Sequence, residues 1–369
     1  MKIRIATFFI LILCTLSKSL LADNPRCLGS DGGTPFSNIT HDVLAKQTIV
    51  NSSGLVRDFV VHESLGQIVY RNVRNQIRVL HLDHLRDHFV NYFGGKLSRV
   101  SEDSRGRVLS AHSPHYLDTR YSINWREFNF GKRVTQHLFS EKGDIFSLEN
   151  IVHQKVGLLK SSRYFFTFST FENGRPMRRQ CFIPTGFGTQ LTLAQGNLFP
   201  YLHFYTIKKG VLEEKVVVYR MAVNRVGAGT ACPIEEMTQY PVANLGAIHA
   251  FYYLNLDNQD SYAFHLADSK RNLFLDKPGE CAYYNFRGRT PIFISPKHAL
   301  FASWKKGEGL GLHNLKDKTE VSLFKNVIQN ELGSADLYIS EDGKTLYSSL
   351  MTSHDQGGKL IVKTDLRNF

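Results

Sequence analysis

Three histidines, His62, His153 and His249, each follow a short apolar run and precede a polar turn. Imidazole is the side chain that proteins use most often to bind transition metals, so three rings that converged on one point would hold an ion. The alternative is structural, because a polar side chain at such a corner also hydrogen-bonds the neighbouring backbone. Which of the two applies depends on the elements that carry the three residues.

Four charged residues, Arg57, Asp58, Arg99 and Glu149, fall near predicted inner strands. Charges at such places line the mouth of a channel and select a polar ligand, or they form solvent-exposed ion pairs that contribute little to stability. We carry all four forward as candidate binding residues, together with the three histidines.

Two long stretches rich in glycine and proline, 171–196 and 225–245, are predicted to be irregular loops. Long ordered loops on a rigid scaffold often carry function. The first contains Arg178 and Arg179 close to Phe182, and arginine beside aromatic rings suits recognition of a protein or an acidic glycan. Chance clustering in a basic chain is the alternative.

Familiar catalytic motifs are absent from the sequence. It has no Gly-x-Ser-x-Gly, no His-Glu-x-x-His and no phosphate-binding Gly-x-x-x-x-Gly-Lys-Ser/Thr. We therefore predict no catalytic residue, although paired carboxylates of the glycosidase kind leave an enzymatic alternative open.

The first 22 residues have the pattern of a secretory signal peptide. Lys2 and Arg4 precede an apolar run, 6–16, and a small residue, Ala22, ends the segment. The run is shorter than the roughly 20 residues that a spanning helix needs, and no later segment is long and apolar enough to span a bilayer. The sequence thus predicts an exported protein, periplasmic or secreted.

The chain is basic, with a formal net charge of +12 spread without long blocks of one sign. A basic surface attracts nucleic acid, anionic lipid or acidic glycan. Export makes nucleic acid the least suitable of these partners, and we predict none. The simpler interpretation is that the excess positive charges are scattered over the surface and solvated by water.

From about residue 45 the chain repeats one shape, an apolar run that ends in His, Ser or Thr, a polar turn, and a second apolar run. Self-similarity at 40–50 residues is typical of a four-stranded propeller blade. The markers, spaced 39 to 53 residues apart, are His62, Ser101, His153, Thr206, His249, Ser295 and Ser340. They predict an all-β, seven-bladed β-propeller over 45–369, with 23–44 as an irregular leader; a large sandwich without circular order is the alternative.

The three histidines would then lie in the first, third and fifth blades, too far apart to share one ion, so we predict no metal and no cofactor.

The last repeat contains a strong hairpin signal and runs out of sequence after its third strand. Asp342-Gly343 separates two alternating runs, as in a tight turn where glycine takes a positive φ. A strand-like piece, 46–50, remains unassigned at the other end of the chain. We predict that it completes the last blade, which would close the ring and leave no unpaired edge.

These repeats resemble those of exported bacterial β-propeller proteins, a broad group that includes WD-type and Tol-type propellers. The resemblance is carried by turns of the Ser-Pro-Asp-Gly-Lys kind at 339–346, 101–109 and 294–300. It covers most of the mature chain, but neither tryptophan precedes an aspartate as in true WD repeats. Because propellers host many unrelated functions, the resemblance implies a fold and little about activity.

Four cysteines remain after the predicted cleavage: Cys27, Cys181, Cys232 and Cys281. An even number in an exported chain permits two disulfides in three connectivities. We favour Cys181 with Cys232, because each lies in one of the two long loops and those loops leave adjacent blades.

The sequence therefore predicts a monomeric propeller that binds a protein or an anionic glycan of the cell envelope. A propeller hydrolase or lyase acting on glycans is the rival. A third option is a secreted propeller of the insect type, in which Asn38 and Asn51 of two glycosylation sequons would be modified.

Overall fold

The structure is a computed structural model of the 369-residue chain. It describes residues 34–35, 37–38, 47–49, 56–63, 66–92, 96–97, 111–112, 119–123, 126–129, 136–139, 145–156, 161–172, 175–184, 191–268, 272–295, 297–305, 308–324, 337–350, 360–366 and 369. The predicted signal peptide, Arg99 and the marker Ser101 lie outside these residues.

Nearly all regular structure in the described residues is β. One short helix, α1 (Val242–Leu245), and a 3-10 turn, Val223–Arg225, interrupt it. The strands are β1 Thr34–Pro35, β2 Ser37–Asn38, β3 Gln47–Ile49, β4 Val56–His62, β5 Gln67–Asn72, β6 Gln76–His81, β7 Asp87–Tyr92, β8 Lys96–Leu97, β9 Ala111–His112, β10 Thr119–Ile123, β11 Arg126–Asn129, β12 Gln136–Phe139, β13 Ile145–Val156, β14 Ser161–Glu172, β15 Arg175–Ile183, β16 Leu191–Leu193, β17 Tyr201–Lys209, β18 Glu214–Ala222, β19 Thr230–Ala231, β20 Ile234–Pro241, β21 Ile248–Leu256, β22 Gln259–Leu266, β23 Leu273–Lys277, β24 Glu280–Asn285, β25 Thr290–Ile294, β26 Leu300–Lys305, β27 Gly309–Asn314, β28 Thr319–Phe324, β29 Leu337–Ile339, β30 Thr345–Leu350 and β31 Leu360–Asp365.

The described strands form seven sheets, each built around four antiparallel strands. We number the sheets in chain order. They are sheet 1 (β4-β5-β6-β7), sheet 2 (β8-β9-β10-β11), sheet 3 (β12-β13-β14-β15 with β19), sheet 4 (β16-β17-β18-β20), sheet 5 (β21-β22-β23-β24 with β1), sheet 6 (β25-β26-β27-β28 with β2) and sheet 7 (β29-β30-β31 with β3). Strands that are neighbours in sequence are therefore almost always neighbours in a sheet.

The N-terminal strand completes the last sheet, as the sequence predicts. Gln47, Thr48 and Ile49 of β3 pair antiparallel with β31, which supplies the fourth strand that the C-terminal sequence lacks. The Asp342-Gly343 hairpin joins β29 to β30, and Gly343 has a φ of 73°. Both the predicted turn and the predicted pairing of the chain ends are confirmed.

The segment 23–44, for which the sequence predicts no regular structure, contributes two short strands. Strand β1 pairs parallel with the outer strand of sheet 5, and β2 pairs parallel with the outer strand of sheet 6. Two residues on each strand suffice, because an outer strand presents unpaired backbone groups that any extended segment can satisfy. Sequence pattern carries no signal for so short a pairing.

In the described part of the chain, five apolar clusters lie between successive sheets, from sheet 3 through sheets 4, 5, 6 and 7 to sheet 1. In the cluster between sheets 7 and 1, Tyr347 and Ile361 pack with Phe59 and Tyr70. Strand β8 of sheet 2 lies beside β4 and β5 of sheet 1. Sheets 3 to 7 thus pack in chain order, and sheet 7 packs against sheet 1.

This packing explains why the middle strands contain runs of consecutive buried residues. Val216 to Tyr219 in β18 are all buried, as are Tyr262 to Phe264 in β22. A strand that is covered on both faces has no reason to alternate polar and apolar residues. Outer strands do alternate or are exposed: Glu235 and Glu236 of β20 both face solvent.

For the first repeat the sequence pattern predicts strands at 57–62, 67–71, 76–82 and 88–93, and β4 to β7 confirm them within one residue. For the second repeat it predicts strands at 97–101, 107–111, 120–128 and 132–139, of which the first two lie mostly outside the described residues and the last two are wrong. The single strand predicted over 120–128 is a hairpin of β10 and β11, and the strand predicted over 132–139 begins sheet 3 as β12. Residues that continue an apolar pattern across a tight turn give no sign of the turn. The prediction that 171–196 and 225–245 are irregular is also wrong, because they contain β15, β16, β19, β20 and α1.

No helix of the described residues is long and apolar enough to cross a membrane.

Candidate functional site

The three histidines that the sequence pattern treats as equivalent occupy different places. His62 ends β4, the first strand of sheet 1, and His249 is the second residue of β21, the first strand of sheet 5. His153 lies in β13, the second strand of sheet 3, where its exposed ring stacks on Tyr164 with the centroids 4.6 Å apart. The predicted equivalence is wrong, since the repeat length varies and shifts the markers along the sheets.

Asp58 is buried in β4 against the guanidinium of Arg71 from β5. Arg71 Nε donates to both carboxylate oxygens at 3.2 Å, and Nη2 also donates to Oδ2. Arg71 Nη1 donates to Asn75 Oδ1 at 3.0 Å in the following turn. Arg57, the other predicted residue here, is exposed. The contacts of Asp58 are those of a residue that holds the sheet together.

Glu149 has a comparable setting in sheet 3. It is buried, accepts a hydrogen bond from Ser169 Oγ and lies 3.3 Å from Arg178 Nη2. Arg179, the next residue of β15, donates from Nη1 to the carbonyl of Val226 at 3.3 Å. Arg178 and Arg179 therefore lie on a strand and make different contacts, rather than forming one basic loop. The structure does not bring Asp58, Glu149 and His249 together, because they belong to sheets 1, 3 and 5.

Cys181 and Cys232 form the predicted disulfide. Cys181 lies in β15, and Cys232 follows β19, which pairs parallel with β15. The bridge therefore ties the outer strand of sheet 3 to the segment that leads into β20 of sheet 4. The pairing is confirmed, although Cys181 lies in a strand and not in a loop. Cys281 is also disulfide-bonded.

A cleft of about 340 Å³ lies where hairpin turns of sheets 5, 6 and 7 meet, within the usual size range of a ligand pocket. Its floor is apolar and buried, formed by leucines that include Leu275, Leu300 and Leu315. Five basic side chains line it: Lys277, Lys297, His298, Lys316 and Lys344. We call this feature the basic cleft.

Each lysine of the basic cleft comes from a connection that the strands fix in place. Lys277 ends β23, Lys297 precedes β26, Lys316 lies between β27 and β28, and Lys344 between β29 and β30. In the β27–β28 connection, Asn314 Oδ1 accepts hydrogen bonds from the backbone N–H groups of Lys316 at 2.9 Å and Asp317 at 3.2 Å. Connections that hold their own backbone in this way present a side chain in a defined direction.

His298 closes the cleft against the neighbouring sheet. Its Nε2 donates to the carbonyl of Glu341 at 3.0 Å. A Cβ at Gly343 would lie 3.0 Å from His298 Nδ1, and the φ of 73° there also disfavours a side chain. Glycine at position 343 therefore serves both the turn and the close approach of the imidazole.

The charged side chains that line the basic cleft are four lysines and two aspartates, Asp257 and Asp342, so their balance is positive. Lys277 pairs with Glu280 at 2.7 Å and Lys297 with Glu341 at 3.5 Å, whereas no carboxylate of a described residue lies within 4.0 Å of the ammonium groups of Lys316 and Lys344. The oxygen Oδ1 of Asp342, which also lines the cleft, accepts hydrogen bonds from Ser340 Oγ at 2.6 Å and Lys344 N at 3.0 Å. These donors lower the pKa of Asp342. The cleft can thus take an anionic group at Lys316 and Lys344 over an apolar floor.

The sequence pattern misses this site because its residues are scattered over 277–344. The sequence does contain one signal of the cleft: each of the last three repeats has a lysine in or beside a hairpin connection. Only the packing of sheets 5, 6 and 7 places those connections side by side.

A second polar cluster, Ser303, His313 and Glu320, crosses the three strands β26, β27 and β28 of sheet 6. Ser303 Oγ bonds His313 Nε2, and His313 Nδ1 lies 3.3 Å from Glu320 Oε2. The order of groups is that of a hydrolase triad. Ser303 and His313 are both 0% exposed, however, so the cluster connects strands and cannot meet a substrate.

Buried histidines make the stability of this protein sensitive to acid. Burial lowers the pKa of His203 from 6.5 to about 3, and it lowers the pKa of His313 as well. A histidine that is neutral in the folded chain and free to protonate when unfolded stabilises the fold above pH 6.5. That stabilisation is lost as the pH falls. We expect His203 alone to reduce the free energy of unfolding by about 1.4 kcal/mol per pH unit below its unfolded pKa.

Urea unfolding at pH 7.5, 6.5 and 5.5 measures this slope above the range where most carboxylates titrate. His203→Gln should flatten the slope, since glutamine has no proton to gain. His153→Gln is the matched control, because His153 is exposed, and it should keep the slope of the unchanged protein. Equal slopes in all three proteins would show that His203 protonates as easily folded as unfolded.

The fold is shared with solved β-propellers. The β-propeller domain of Cps50 (Swd1) from Myceliophteria thermophila aligns with a TM-score of 0.52 at 9% identity, over 86% of this chain and 99% of that chain. The WD40 repeats of RRP9 align with a TM-score of 0.48 at 13% identity, over 88% and 98%. The sequence matches no protein-family model and no curated protein. The likeness to the Cps50 (Swd1) domain shows the fold alone: the chain is an all-β propeller.

Proposed function

We propose that the protein is an exported, monomeric, single-domain propeller that binds an anionic group of a protein or of a cell-envelope glycan in the basic cleft. The observation that carries the proposal is the position of Lys316 and Lys344, which line an apolar-floored cleft and have no carboxylate of a described residue within 4.0 Å, Asp342 attracting Lys344 only at longer range. An ammonium group recognises carboxylate, sulfate or phosphate as a point charge, and the apolar floor adds contact area.

The proposed architecture is a closed ring of seven blades. Seven sheets, the apolar clusters between successive sheets and the pairing of β3 with β31 support it. A ring fixes the hairpin turns of neighbouring blades at one face, which is the arrangement that a cleft between turns requires.

Export is supported by the pattern of 1–22 and by the Cys181–Cys232 bridge. Disulfides form and persist in oxidising compartments and are rare in the cytosol. A net charge of +12 suits an acidic partner in such a compartment.

Charge reversal in the basic cleft tests the binding function. Lys316→Glu/Lys344→Glu should weaken binding to an acidic polysaccharide or an acidic peptide by more than about tenfold. Each ion pair is worth about 1 kcal/mol at 4 Å in water, and reversal replaces attraction by repulsion. Titration calorimetry with each probe, at two salt concentrations, measures the loss and identifies which class of probe the cleft prefers.

Lys208→Glu/Lys209→Glu is the control of equal net charge, placed on sheet 4. The proposal requires this variant to bind as the unchanged protein does. Equal losses in both variants would indicate attraction by overall charge without a defined site. Unchanged binding in the cleft variant would exclude the basic cleft.

The rival function, a glycan hydrolase or lyase, has no comparable support. Its proposed carboxylates, Asp58 and Glu149, are buried in different sheets and each contacts an arginine. Release of reducing ends from an acidic polysaccharide, lost in Asp58→Asn or Glu149→Gln variants that remain folded, would favour the enzyme over the binding module.

A further inference from the structure

The hairpin that connects β6 and β7 gathers imidazole and carboxylate groups at the outer edge of sheet 1. Its sequence, 81–88, is His-Leu-Asp-His-Leu-Arg-Asp-His. Among the described residues, His81, Asp83 and His84 offer ligand atoms that all lie within 4.8 Å of one another. This group is distinct from the basic cleft and from the histidines that the sequence pattern singles out.

We propose that His81, Asp83 and His84 bind a divalent transition-metal ion of the Zn²⁺ class. His84 Nε2 lies 3.5 Å from Asp83 Oδ1. A tetrahedral ion with ligands at about 2.0–2.1 Å sets neighbouring ligand atoms about 3.4 Å apart, so this pair already has the required separation. The ring centroids of His81 and His84 are 5.0 Å apart, and rotation of the exposed Asp83 and His84 side chains brings their ligand atoms towards the half-buried ring of His81.

The hairpin backbone holds the three side chains on one short turn. The N–H of His81 donates to the carbonyl of Arg86 at 3.0 Å, and the N–H of Leu85 donates to the carbonyl of His81 at 2.9 Å. Leu85 has a φ of 52°, a region that a branched apolar residue seldom occupies. That conformation folds the turn back so that His84 faces His81.

Of the two aspartates in this hairpin, only Asp83 offers its carboxylate to the proposed ion. Asp87 is engaged by Arg78, whose Nε donates to Oδ2 at 2.6 Å, and by Tyr70. The Arg86 N–H donates to His84 Nδ1 at 3.3 Å, and binding of an ion at Nε2 moves the imidazole proton to Nδ1 and breaks this long contact. His88 stacks on His81 with centroids 5.5 Å apart and restricts its ring.

This donor set selects the class of metal. Two imidazoles with a single carboxylate suit Zn²⁺, Cu²⁺ or Ni²⁺, whereas Ca²⁺ and Mg²⁺ require mostly oxygen ligands. Three protein ligands leave a fourth position for water or for a group from a partner, as in open zinc sites.

The test uses mature, untagged protein stripped with a chelator and titrated with ZnCl₂ in a calorimeter. We expect one site, and we expect Asp83→Asn and His84→Ala each to weaken it by at least about tenfold, since even outer-shell partners of a metal are worth 10–100-fold in affinity. Cobalt substitution adds a second readout, because tetrahedral Co²⁺ has strong visible absorption that the variants should lose.

His249→Ala is the matched control, since His249 is an exposed histidine whose ring lies 5.3 Å from that of His265 on sheet 5. It should leave the zinc isotherm unchanged, and circular dichroism confirms that each variant folds. The proposal is overturned if the unchanged protein binds no zinc, or if His81→Ala/His84→Ala binds it as well as the unchanged protein does.

Discussion

Replacing Asp58 by alanine should lower the free energy of unfolding by about 3–5 kcal/mol, because the substitution leaves the Arg71 guanidinium buried without its carboxylate. Both side chains are at least nine-tenths buried, so water cannot replace the lost partner. Chemical denaturation of the variant measures the loss. The result would assign Asp58 to the framework of sheet 1 and not to a channel mouth that selects ligands.

Two controls separate this effect from a general cost of substitution. The exposed pair Lys209–Glu214 is 3.6 Å long, and Glu214→Ala should change stability by less than about 1 kcal/mol. Asp58→Leu/Arg71→Met removes both charges, and we expect it to be far less costly than Asp58→Ala. A small loss in Asp58→Ala, similar to that at Glu214, would contradict the buried-pair interpretation.

Phe264→Ala should cost about 3–5 kcal/mol, the usual range for a fully buried phenylalanine. Phe264 is 0% exposed and lies at the junction of sheets 4 and 5. Its ring centroid is 4.9 Å from that of Phe251 on its own sheet and 5.4 Å from that of Tyr240 on sheet 4. Truncation therefore opens a cavity between two sheets that the surrounding rings cannot collapse to fill.

Phe264→Leu keeps most of the volume and should cost less than about half as much. Phe89 is 46% exposed, and Phe89→Ala should lie within about 0.5 kcal/mol of the unchanged protein. Urea denaturation compares the three variants. A loss in Phe264→Ala no larger than that in Phe89→Ala would show that the apolar cluster between sheets 4 and 5 does not bear on stability.

Local signals predicted the elements that local chemistry dictates. The Asp342-Gly343 turn, the strands of the first repeat and the pairing of 46–50 with the last sheet follow from turn residues, strand periodicity and a missing fourth strand. Cys181–Cys232 followed from their positions in segments leaving adjacent repeats. Because the repeat length varies, the marker residues fall on different strands of their sheets. The pattern therefore assigns His153 to the first strand of its repeat, whereas it lies in the second strand of sheet 3.

The sequence by itself determined an all-β chain of repeated antiparallel units, because strand alternation and turn chemistry act over a few residues. Only the tertiary structure decided which side chains meet. Lys316 and Lys344 come together through the packing of sheets 6 and 7, and Asp58 is buried because Arg71 lies opposite it on β5. Contacts between separate strands depend on register and sheet packing, which one chain's local pattern does not encode.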